Sequence, residues 1–94
     1  MSPANRPTSS DLKTAGLTPL LYCSGQPLFH VSRDVPLADA LAMASDFLCL
    51  AKAFTTDAAY TCDTDRHAWA AHYLTTMSKA VIDDAVKALQ GQAQ

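Results

Sequence analysis

Cys62, Asp63, Asp65 and His67 lie close together, and all four are residue types that bind metals or move protons. Zinc sites pair thiolates and imidazoles at set spacings, and a single Cys-x₄-His supplies half of such a set. Asp63-x-Asp65 begins like a calcium loop, but Arg66 and His67 follow where oxygen donors belong, and the loop glycine is missing. The plainer reading is a cluster that caps an exposed helical turn. His67 and His72 would stand about 140° apart around a helix, so they cannot close on one ligand as the histidines of H-E-x-x-H do. His30 reads as a cross-strand neighbour.

The three cysteines, Cys23, Cys49 and Cys62, form no disulfide framework, because their number is odd and their spacings unrelated. A nucleophile needs a base and an orienting group, and no spacing here gathers them. Free thiols of this kind usually pack as small hydrophobes. Only Gly16, Gly25 and Gly91 are available, too few and too scattered for a phosphate-binding loop. The sequence therefore assigns no catalytic residue, no metal ligand and no cofactor, and the chain reads as non-enzymatic.

The elements that would position these residues are mainly helical. Residues 35–60 repeat apolar side chains at steps of three and four along two adjacent stripes. Leu37, Leu41, Ala44, Leu48 and Ala51 form one; Ala40, Met43, Phe47, Leu50 and Phe54 form the other. Pro36 suits a first helical turn, and Asp34 is the cap candidate. Residues 63–90 form a second amphipathic helix. Trp69, Tyr73, Met77, Ala80 and Asp84 share one line, and Ala70, Leu74, Met77, Val81, Ala85 and Leu89 the other. The short connection makes the helices antiparallel. Phe54 should then lie level with Trp69 or Tyr73, Phe47 and Leu48 near Met77, Leu41 near Val81 or Ala85, and Leu37 near Leu89.

Ahead of the helices, residues 19–33 place two short apolar runs around Ser24-Gly25-Gln26-Pro27, a β-hairpin pattern. Pro27 lacks the N–H that closes a tight turn, so a longer loop is expected. Residues 1–18 read as a disordered tail and a transition, outside a single domain spanning 19–94.

Two apolar stripes on the first helix exceed what one helical partner can cover. The expected architecture is thus a β-hairpin followed by an antiparallel two-helix hairpin, completed by a second copy into a dimeric four-helix bundle. The residues expected at the core or dimer interface are Leu37, Leu41, Ala44, Phe47, Leu48, Phe54, Trp69, Tyr73, Met77 and Val81.

Seven basic residues against nine acidic ones, without clusters, argue against nucleic acid as a direct partner. Every acidic residue is Asp, for which we have no physical account. No run reaches the length of a membrane span, and the N-terminal residues lack a signal-peptide core, so a reducing cytoplasm is the expected location. The function expected is a homodimeric protein-interaction or regulatory module. The alternatives are a binder of small apolar ligands at the aromatic end of the bundle and an accessory to a DNA-binding complex.

Phe29 and Val31, then Val35 and Pro36, then Ala40-Leu41 and Ala44-Ser45 resemble a domain-of-unknown-function family of small bacterial proteins. So does the run Trp69, Ala70, Tyr73, Leu74, Met77, Lys79 and Ala80. Thr76 departs from an acidic residue typical before the methionine. The resemblance implies a shared fold and brings no activity, cofactor or site residue with it.

Overall fold

The computed structural model describes residues 12–60 and 65–92. Two strands, β1 (Pro19–Cys23) and β2 (Gln26–His30), precede two helices, α1 (Leu37–Tyr60) and α2 (Asp65–Gln92). The chain is mainly helical, with its antiparallel β-hairpin at the N-terminal side, as the patterning implies. Cys62 and Asp63 lie outside the described residues; Asp65 and His67 belong to the first turns of α2.

The hairpin is tighter than expected. Cys23 pairs with Gln26, leaving Ser24 and Gly25 as a two-residue turn. Both have positive φ, at 53° and 81°, the geometry of a type I′ turn. Pro27 tolerates this because it stands opposite Tyr22, one pair beyond the closing pair. Antiparallel pairs alternate between hydrogen-bonded and open. The closing pair is bonded, so Pro27 falls at an open position where β1 needs no N–H from it.

The helices are antiparallel and meet through small side chains. Ser78 Oγ donates to the carbonyl of Ala44 on α1 (3.0 Å) and to Leu74 on its own helix (2.9 Å). Further along, the Phe54 and His67 rings lie 5.8 Å apart. That register differs from the expected one by about half a turn to a turn, because His67 rather than Trp69 or Tyr73 stands beside Phe54. It also brings Leu37 level with Asp84 and Ala85 instead of Leu89. Ala44 and Ser78, at 1% and 0% exposure, let the axes approach closely, whereas larger side chains would hold them apart.

The fully buried apolar set is small: Leu37 with Ala40, Ala44, Ala51, Ala80 and Ala85. Burying a leucine contributes about 1.5–3 kcal/mol and each methyl about 0.8 kcal/mol. Alanines permit close approach but add little. Polar bonding supplies much of what fixes the rest.

Residues 12–18, placed by the sequence outside the domain, are tied to it at both ends. Thr14 is buried and bonds in four directions. Its N–H donates to Val35 O (2.8 Å) and its hydroxyl to Ser32 O (2.6 Å); it accepts from Asp34 N (3.2 Å) and Val35 N (3.0 Å). Lys13 bridges Pro36. The Leu37 N–H at the start of α1 is satisfied by the carbonyl of Leu12 (2.9 Å). Asp34 does not cap that helix; it sits at φ 65° in the turn before it.

The other end of this strap is held by Asp84. Its side chain has no solvent exposure. One carboxylate oxygen accepts from Ala15 N (2.7 Å) and Gly16 N (3.0 Å), the other from Leu17 N (2.8 Å) and Thr18 Oγ1 (2.9 Å). Lys87 Nζ donates to Thr18 Oγ1 at 3.0 Å. Burial pushes the Asp84 pKa up, but the bonds from Gly16, Leu17, Thr18 and Ala15 outweigh it and hold the carboxyl below its ordinary value. Asp84 is therefore a structural anchor, not one more member of an apolar line.

Candidate functional site

The contact line through Ala44 and Ser78 divides the helical hairpin into two faces. At about 100° per residue, Leu41 and Leu48 turn to one flank of α1, and Met43, Phe47 and Leu50 to the other. On α2, Ile82 and Val86 turn the first way, and Met77, Val81 and Asp84 the second. In an antiparallel pair, equal rotations from the contact line point to the same side of the layer. The back face thus carries Leu41, Leu48, Ile82 and Val86, with Leu89 at its end. The front face carries Met43, Phe47, Leu50, Met77 and Val81.

The strap and β-hairpin cover only part of the front, over Ala80 and Asp84. Next to them is a groove of about 560 Å³. Leu20, Leu21, Phe29 and Val31 form the hairpin wall; Met43, Phe47, Met77 and Val81 form the helical wall. Leu21 enters this wall from a left-handed conformation, at φ 56°, and has no partner in the strand register. For a leucine that conformation costs about 1–2 kcal/mol.

The ten expected core or interface residues divide three ways. Leu37 and Ala44 are buried, and Phe47, Phe54, Met77 and Val81 are half-buried. Leu41 and Leu48 are exposed on the back; Trp69 and Tyr73 are exposed beyond the hairpin's reach, on the line that continues to Ala80 and Asp84. Trp69 and Tyr73 stack on each other at 5.8 Å, and His72 packs edge-on to Trp69. They are not core. Of the helical aromatics Phe47, Phe54, Trp69 and Tyr73, only Phe47 lines the groove, because the groove lies beside the β-hairpin and not at the aromatic end of the bundle. Cys23 and Cys49 are exposed, not packed as hydrophobes. Among the described residues, no three His, Cys, Asp or Glu side chains converge on a metal position.

Residues 14–88 match DUF3077, a protein of unknown function. The chain belongs to this family. The DUF3077 span opens with the strap and includes Asp84, so both partners of that long-range bond network fall within it. Comparison with curated proteins and with solved structures finds no match. No described helix is long and apolar enough to cross a membrane.

Proposed function

We propose that this DUF3077 protein is a non-enzymatic, cytoplasmic interaction module that works as a homodimer, its two helical hairpins packed back to back in a four-helix bundle. The observation that carries this reading is the back face. Leu41, Leu48, Ile82, Val86 and Leu89 are between 38% and 46% exposed there. Contiguous apolar surface of this kind marks a protein contact. A layer two helices wide and about 36 Å long presents about 700 Å², near the roughly 800 Å² per partner of a standard interface. The small buried set of a single chain favours the same solution. Regulation or recruitment of another protein would use the front, where Trp69, Tyr73, Leu50 and the β2 side chains stay uncovered.

Light scattering after size exclusion tests the reading. Wild-type protein should elute at twice the 10.0 kDa chain mass. Leu48→Asp should shift it to one chain mass or unfold it, because an unpaired buried charge costs several kcal/mol. Val86→Lys, at the most open position of this face, separates the two outcomes. A wild-type monomer, or a Leu48→Asp protein with unchanged mass and melting, refutes the back-face dimer.

A further inference from the structure

The groove between the β-hairpin and the helices has a polar inventory that specifies what it can hold. Its floor is aliphatic, aromatic and thioether. Thr14 lines it, but the Thr14 hydroxyl is already committed to Ser32 O and Val35 N. The other polar side chains, His30, Ser32 and Asp39, are all exposed, so they stand at the mouth and not on the floor. Among the described residues, Asp39 is the only charged one that lines the groove, and no lysine or arginine does. The N-terminus of α1 places about half a positive charge nearby, which reduces but does not cancel the charge on Asp39. The volume of about 560 Å³ falls within the range of small-molecule sites.

We infer that the groove binds a small amphiphile, with its apolar body against Phe47, Met77 and Val81 and a cationic head at Asp39. Thioether walls suit such a body, because Met43 and Met77 can rearrange around irregular apolar shapes. A carboxylate head would meet Asp39 with like charge. The inference goes beyond the proposed dimer and does not depend on it, since the groove opens on the opposite side of the helical layer.

The test uses the full chain with ¹³C-labelled Met and Ile methyls. Met43 and Met77 report the groove; Ile82, the only isoleucine, reports the back face. Dodecylammonium and dodecanoate are titrated separately, each below the concentration at which it forms micelles. Dodecylammonium should shift Met43 and Met77 saturably, leave Ile82 in place, and bind about fivefold tighter than dodecanoate. In Asp39→Asn, an exposed substitution compatible with the fold, that preference should fall to about onefold. Unmoved Met43 and Met77 signals overturn the site. Equal affinities for the two amphiphiles in wild-type protein overturn the role of Asp39. Shifts at Ile82 as large as those at Met43 indicate adsorption to apolar surface and also overturn it. Loss of the dimer shows in light scattering and leaves the Met43 and Met77 shifts and their dependence on Asp39 intact, so the two readings fail separately.

Discussion

Replacing Asp84 by Asn keeps the shape of the side chain and removes its charge. The carboxylate accepts four bonds, from three backbone N–H groups and one hydroxyl. An amide can offer its oxygen to Ala15 N and Gly16 N and its nitrogen to Thr18 Oγ1. The Leu17 N–H would then face an NH₂ group and lose its acceptor. Hydrogen bonds to a charged group contribute about 1.5–3 kcal/mol each, and neutral ones about 0.5–1.5 kcal/mol. One bond lost and the rest weakened come to about 3 kcal/mol. A chain of this length has on the order of 5–14 kcal/mol in total, so the loss is large but survivable. Urea unfolding followed by circular dichroism measures it, and amide exchange at Ala15, Gly16 and Leu17 shows whether the strap opens first. A pH series supplies a second check. The folded Asp84 pKa is depressed below its ordinary 3.8, so its contribution is fully present above that value and is lost as pH falls through the folded pKa. Wild-type protein should lose that increment below about pH 4, and Asp84→Asn should lack that part of the decline. A loss under about 1 kcal/mol would refute the idea that this carboxylate holds the N-terminal segment in place.

Substitutions at three further positions probe other joints. Gly16→Ala should destabilise by about 2–3 kcal/mol in the same urea assay, because Gly16 has φ 74° and a Cβ there would lie 2.7 Å from the Arg33 Cβ. Ser78→Leu should be worse than Ser78→Ala: the alanine variant loses about 1 kcal/mol of hydrogen bonding, whereas leucine must force the helices apart where Ser78 has no exposure. Equal melting temperatures for the two would show that the helices are not closest there. Ser24→Asn should raise the melting temperature slightly, by about 0.5 kcal/mol or less in stability, because Asn-Gly suits a type I′ turn best; a drop would mean that the turn has another geometry.

The helices and the hairpin could be read from the chain because each is local. Apolar spacing, Pro36 and the Ser24-Gly25 pair all act within a few residues. Pro27 misled the turn assignment, since its effect depends on whether its position in the ladder is bonded or open, and composition does not reveal that. Periodicity showed that Trp69, Tyr73, Ala80 and Asp84 share one line. It could not show that the hairpin covers only the Ala80–Asp84 half, so Trp69 and Tyr73 were expected inside. The docking of residues 12–18 was not legible, because its acceptor sits 66 to 69 positions away on α2. The one available signal was the conflict itself, a charged Asp84 on an otherwise apolar line. The groove followed the hairpin's placement and was equally hidden from local pattern.

The anchor on α2 also imposes an order on synthesis. A ribosome releases residues 15–18 long before Asp84 exists, so for most of translation their amides can bond only to water. Helix formation is fast and local, while a closure across nearly the whole chain must come last. Until the final stretch of α2 emerges, one wall of the groove has nothing to lean on, and any nascent chain that stalls short of Asp84 leaves its own N-terminal segment open to proteases.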